Sequence, residues 1–150
     1  MVSSQAIDAL TQALPNGHFT QRGTTQYDEL NSSYLSGLES DIQPAYIFRP
    51  RSKEDVSTFV KTFTPFIKKD QFAIRGAGCQ PHPGCANIQD GITVDLCLLS
   101  NVDIQEGLVR IGAGVKWGAV YEKLDETGLG VSGSRSAKGG IGGLALAGLC

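Results

Sequence analysis

Apolar positions along this chain follow two spacings. Ile7, Leu10 and Leu14 recur every three or four residues, as do Val56, Phe59, Val60 and Phe63, and later Trp117, Val120, Tyr121 and Leu124. That spacing puts each set on one side of a helix. Helices are therefore expected over Gln5 to Leu14, from Ser52 to Phe63, and over Lys116 to Glu126. Ser3 or Ser4 caps the first, and Pro15-Asn16-Gly17 stops it. Ser52, with Asp55 three residues on, starts the second; Pro65 and the Lys68-Lys69-Asp70 cluster close it. Gly128 ends the third. Between them lie continuous apolar runs, Pro44 to Pro50, Phe72 to Ile74, Gly91 to Leu99 and Leu108 to Gly114, which read as strands. Bracketing prolines mark the first as an edge or starting strand. Strand, helix and strand over residues 44 to 74 make a βαβ unit and imply a small parallel sheet.

The remaining stretches carry weaker patterns. His18 reads as a loop residue, Tyr27 to Leu38 as irregular or weakly helical, and Asn101 to Gly107 as a turn. Pro81-His82-Pro83-Gly84 is too rich in turn residues for regular structure. From Val131 to Leu149, small residues alternate with glycine, with too little side-chain variety for a self-contained helix. Ten of the 19 glycines lie between Gly112 and Gly143, so the second half has backbone positions that exclude a side chain.

Composition narrows the function classes. With 150 residues there is room for one modest domain. A formal net charge of −2 gives no basic footprint for nucleic acid or an anionic membrane. The N-terminus has no secretory pattern and no run reaches transmembrane length, so a cytoplasmic setting is expected. Cys79, Cys85, Cys97 and Cys150 form no CxxC pair and no zinc spacing, and read as free thiols.

The stretch with most chemical content is Phe72-Ala73-Ile74-Arg75-Gly76-Ala77-Gly78-Cys79-Gln80. It reads as a short buried strand running into a glycine-spaced turn. Gly76 and Gly78 can take positive φ, which lets consecutive N–H groups form a concave nest for a phosphate, with Arg75 as a fixed positive charge beside it. Other candidates fall short of their patterns. Gly112-Ala113-Gly114-Val115-Lys116-Trp117-Gly118 misses the dinucleotide fingerprint because its third glycine comes one residue late. Ser134-Arg135-Ser136-Ala137-Lys138 fits neither an SxxK nucleophile nor a Walker loop. His82 has no identifiable carboxylate partner, and Asp90, Asp95, Asp103 and Glu106 are scattered acids. A thiol in the nest, Cys79, reads as a space-filler or a reactive group.

Five collinear stretches resemble the FAD-linked oxidases of the vanillyl-alcohol-oxidase type, and within them the berberine-bridge-like oxidoreductases of fungal secondary metabolism. They are Pro44 to Ser52; Ile74-Arg75-Gly76-Ala77-Gly78 with Pro83 to Ile88; Gly91-Ile92-Thr93-Val94-Asp95-Leu96; Gly112 to Gly118; and Gly133-Ser134-Arg135 through Gly140-Ile141-Gly142-Gly143-Leu144. The resemblance implies an α+β fold: a PCMH-type FAD-binding domain over residues 41–150, comprising a first βαβ subdomain and the start of a second, behind an N-terminal extension over residues 1–40. It also implies that Arg75, Gly76, Ala77, Gly78, Cys79 and Gln80 wrap the FAD pyrophosphate, while Gly133, Ser134, Gly140, Gly142 and Gly143 lie near the isoalloxazine. By family chemistry, a substrate is oxidised by hydride transfer to flavin.

The sequence departs from that family in four places. Cys79 stands where many members have a flavin-linked histidine, and Ser136 where some have a second linking cysteine, so FAD is expected to be held non-covalently. Ala147 and Leu149 replace two glycines of a conspicuous family run. The chain also stops inside the expected cofactor domain, leaving Leu108 to Gly114 without a strand partner and the substrate domain to come from elsewhere. No residue qualifies as a catalytic base. Two functional readings follow: an oxidoreductase acting on a small natural product, or a truncated non-catalytic remnant with weak or no FAD binding. A nicotinamide module built on Gly112 to Gly118 ranks third, because no acidic residue ends a strand about twenty residues later.

Overall fold

The structure is a computed structural model that describes residues 2–68 and 70–148. The expected position of Lys69 in a helix stop, and those of Leu149 and Cys150, lie outside the described residues. Among the described residues, fourteen short elements build an α+β fold in two parts. The first is a four-stranded sheet, order β1-β2-β4-β3, from β1 (His18–Gln21), β2 (Tyr46–Arg49), β3 (Phe72–Arg75) and β4 (Ile92–Asp95). β2, β4 and β3 are mutually parallel and β1 is antiparallel to β2.

The βαβ unit is present, with β4 inserted between its two strands. Its crossover is α4 (Lys53–Phe63), which starts at Ser52: the Asp55 N–H donates to Ser52 Oγ at 3.1 Å, and the Arg51 N–H donates to the Asp55 carboxylate at 2.8 Å. α1 (Ser4–Ala13) is capped by Ser3, which is tied in turn to the buried Asp70: Ser3 N–H and Oγ–H donate to its two carboxylate oxygens at 2.8 and 2.6 Å. α1 and α4 cover one face of the sheet with Leu10, Phe48, Phe59, Phe63, Ile92 and Val94. Phe19, Phe48, Phe59 and Phe63 stack in sequence with centroids 4.5, 5.1 and 5.4 Å apart. Side chains alternate along a strand, so Thr93 and Asp95 face the other side. There Thr93 and Asp95 meet Asn87 and Arg75, whose side chains bond in turn to Leu30 and Asn31 of α2 (Thr25–Asn31) and Glu39 of α3 (Gly37–Ser40).

The second part is a hairpin, β5 (Val102–Gln105) and β6 (Leu108–Ile111), packed on α5 (Trp117–Asp125) around Val115, Trp117, Val120 and Leu124. α5 ends in a Schellman arrangement: Gly128 has φ +68°, and the N–H groups of Leu129 and Gly128 donate to the carbonyls of Leu124 and Asp125 at 3.1 Å each. A last helix, α6 (Ile141–Leu146), follows the glycine-rich segment.

Several expectations are corrected. β2 is an interior strand, because Pro44 and Pro50 lie just outside the four paired residues and leave both sides of the ladder free to bond. His18 is the first residue of β1, and Tyr27 to Leu38 holds five of the seven residues of α2, which Thr24 caps, and two of the four of α3. Val60 is 44% exposed and leaves the apolar face of α4. Asn101 to Gly107 is mostly the strand β5, which supplies the partner expected to be missing from β6. A short helix forms within Val131 to Leu149, and β4 ends at Asp95, where the chain passes into a 3₁₀ turn over Leu96–Leu98.

Candidate functional site

β3 is the free edge of the parallel sheet, and the buried strand expected there is only half buried: Ile74 is 57% exposed while Arg75 is buried. Beyond Arg75 the chain turns under a cavity of about 360 Å³ lined by Gly76, Ala77, Gly78, Cys79 and Gln80 on one side and by Gly139, Gly140, Gly143 and Leu144 on the other. Cys85 and Ala86 complete a wall. Two segments sixty residues apart thus meet across one concavity. Their backbones are in contact, since a Cβ on Gly140 would fall 2.5 Å from that of Ala77.

Of the two glycines expected at positive φ, Gly78 has it, at +67°, and Gly76 does not. Among the described residues, the N–H groups of Ala77, Gly78, Cys79 and Gln80 donate to no acceptor. Four consecutive free donors beside a cavity are available to an anionic group. Gly76 and Gly143 have open space where a side chain would be, so ligand atoms can approach the backbone there.

Arg75 does not put its charge into this cavity. Its guanidinium donates to Leu30 O at 2.9 Å and Ser33 Oγ at 2.8 Å, and lies 3.7 Å from Asp95 Oδ2 and 3.8 Å over the Tyr34 ring. Parallel pairing of β3 with β4 sets Arg75 beside Asp95, and the attraction is satisfied behind the loop. Burial pushes the Tyr34 phenol well above its ordinary range, against the opposing pull of Arg75. Burial also raises the Cys97 thiol, with Asp95 acting in the same direction.

Gly133, Ser134 and Gly142 lie away from the cavity lining. Gly133 is filled by the Trp117 ring, where any Cβ would overlap Cζ3; a Cβ on Gly142 would meet Ala113 O at 3.0 Å. The Ser134 carbonyl accepts from the Tyr121 hydroxyl at 2.6 Å, and its Oγ accepts from Ser136 N–H at 3.1 Å. Cys79 lines the cavity and its thiol donates to Lys138 O at 3.2 Å; Ser136 is exposed. Gly112 and Gly114 press on the backbone at Leu99 and Leu96, a packing reason for glycine that accounts for the near-fingerprint.

No motif or spacing in the chain marks what holds the loop from behind. Glu39, fully buried, accepts from Gly84 N–H at 3.1 Å and Ala86 N–H at 2.8 Å. Tyr34 O–H donates to Ala86 O at 2.9 Å, and Leu35 N–H to Gly78 O at 3.0 Å. Asn87 is the hub beneath: its Nδ2 donates to Asn31 Oδ1, Glu39 O and Ile42 O, and its Oδ1 accepts from Thr93 and Ile88. These residues sit in polar stretches without periodicity, so no spacing marks them.

Comparison with known proteins fits this architecture. The model of the FAD binding domain family matches residues 44–150, and the chain belongs to that family. The FAD-dependent monooxygenase tpcD of Cochliobolus heterostrophus is 40% identical over 119 residues, covering 78% of this chain and 23% of its own length. Among solved structures, the glucooligosaccharide oxidase of Acremonium strictum superposes with a TM-score of 0.75 at 21% identity, covering 94% of this chain and 29% of that one. The BBE-like 1 protein of Physcomitrella patens does so at 0.74 and 20%, covering 91% and 30%. The fold is that of a PCMH-type FAD-binding domain, its first βαβ subdomain and the start of the second. The chain spans about a quarter of the length of the relatives it matches. No helix among the described residues is long and apolar enough to cross a membrane.

Proposed function

We propose that this chain binds FAD non-covalently, with the diphosphate over Gly76 to Gln80 and the flavin end toward Gly140 and Gly143, as the cofactor part of a fungal-type oxidoreductase acting on a small natural product. The observation that carries the reading is the row of four free N–H donors from Ala77 to Gln80 along a cavity walled by glycines. Bound there, FAD would supply a hydride acceptor for a small-molecule substrate. The chain's own residues bind and orient. The loop N–H groups cradle the anion, Gly76 and Gly143 admit close approach, and Ala77 against Gly140 sets the spacing of the two walls. Arg75 acts through its fixed place beneath the loop rather than by contact. Gly133, Ser134 and Gly142 would support the glycine-rich wall from outside. Residues 41–150 form the cofactor domain in this reading, residues 1–40 precede it, and no catalytic base is assigned.

Cys79 and Ser136 stand at the positions of the linking residues in the resemblance, which supports non-covalent binding. The test is the visible spectrum of the purified chain before and after acid precipitation and after added FAD. Flavin absorbance that is released by acid supports the reading; absorbance that stays in the precipitate overturns the non-covalent part. A second reading is a non-catalytic form with weak or no FAD binding. Leu146 is 93% exposed and Leu108 72%, unusual solvent contact for leucines on elements that pack a core. A colourless chain that retains no added FAD would establish that reading instead.

A further inference from the structure

We infer that Glu39, forty residues ahead of the loop it serves, is the positioning residue that holds the FAD-facing loop in its binding shape. The inference rests on the FAD reading and adds a residue outside the matched stretch, which begins at residue 44. A carboxylate taken wholly out of water is costly unless its oxygens are satisfied. Here both are, and by backbone: Oε2 accepts from Gly84 N–H and Oε1 from Ala86 N–H. Those two residues flank Cys85, which lines the cavity and is itself exposed. The neighbours of Glu39 act on the same loop. Ser36 Oγ–H donates to Pro81 O at 3.1 Å, Leu35 N–H to Gly78 O, and Tyr34 O–H to Ala86 O.

Residues 34–39 thus grip the loop at Gly78, Pro81, Gly84 and Ala86, the first and last of which lie on the cavity wall. Pro81 to Gly84 has no regular structure of its own, and its shape comes from these bonds. Pinned by both oxygens of one buried carboxylate, the loop pays its ordering cost during folding and not on binding.

The experiment is alkylation of individual thiols without cofactor, read by peptide mapping, beside FAD titration, in wild type, Glu39→Gln and Tyr34→Phe. Glu39→Gln keeps the shape but sets an amide donor against a backbone donor. Cys85 is already exposed, so the loop thiol that reports is Cys79, half-buried with its Sγ on Lys138 O. We expect Cys79 to be alkylated about tenfold faster, Cys97 at the wild-type rate, and FAD to bind about tenfold more weakly. Tyr34→Phe keeps the ring over Arg75 and loses one bond to Ala86; about threefold in the same direction is expected. An unchanged Cys79 rate, or a faster one with unchanged FAD affinity, overturns the inference. If Glu39→Gln opens Cys97 in step with Cys79, the chain has unfolded, and Tyr34→Phe decides by the same criteria. A wild-type chain that takes up no FAD sinks the functional reading, and the Cys79 rate alone then decides whether Glu39 holds the loop.

Discussion

Arg75 and Asp95 stand side by side at the carboxyl ends of β3 and β4, 3.7 Å apart and both buried, so the charge expected to face a phosphate is neutralised beneath it. Removing one partner of such a pair strands the other in a low-dielectric site. Arg75→Met should therefore lower unfolding free energy by about 3–5 kcal/mol in urea denaturation. A loss below about 1 kcal/mol, with FAD affinity abolished, would put the guanidinium on the cofactor.

The two kinds of glycine should separate cleanly. Gly133→Ala drives a methyl into the Trp117 ring and is expected to cost about 1–3 kcal/mol of stability. Gly143→Ala meets nothing within 4 Å and lies within α6, where alanine is the better helix former. Its melting temperature should hold or rise while FAD affinity drops. Equal affinity in Gly143→Ala and wild type would remove the flavin from that wall.

Asn87 satisfies five partners from a fully buried position. Asn87→Ala leaves several of them without water or a substitute, so a loss of about 3 kcal/mol is expected in chemical denaturation. A change under about 0.5 kcal/mol, the range of ordinary surface substitutions, would show that the network is dispensable.

His18 gives the chain an acid-side weakness. Burial, then the charges of Arg51 and Arg49, hold its imidazole below the ordinary 6.5, with Asp55 opposing. The folded chain thus takes up this proton less readily than the unfolded chain. The contribution of neutral His18 is complete above 6.5 and is lost as pH falls from there through the folded-state value. His18→Gln should lose less melting temperature than wild type between about pH 8 and pH 5. An identical drop in both would rule the imidazole out as the cause.

How much the sequence foretold depended on where the signal lay. The stripes of α1 and α5, the Ser52 cap and the Gly128 stop were legible because each is local and repeats at a fixed spacing. The glycine-spaced turn after β3 was legible as a turn for the same reason. β1 and β5 were missed because His18 to Gln21 and Val102 to Gln105 hold no continuous apolar run, which is what marked the other four-residue strands. The orientation of Arg75 could not be read at all, since Leu30, Ser33 and Tyr34 on one side and Asp95 on the other reach it from two distant parts of the chain. The same holds for Gly133, whose vacancy is filled by a ring sixteen residues earlier.

None of the residues lining the cavity carries a charged side chain. Attraction between separated ions is screened over about 8 Å at physiological ionic strength, whereas N–H dipoles act at hydrogen-bond range. An anion held by Ala77 to Gln80 would therefore be held nearly as well in concentrated salt as in dilute buffer, and would be chosen by the shape of the loop rather than by the number of charges it brings.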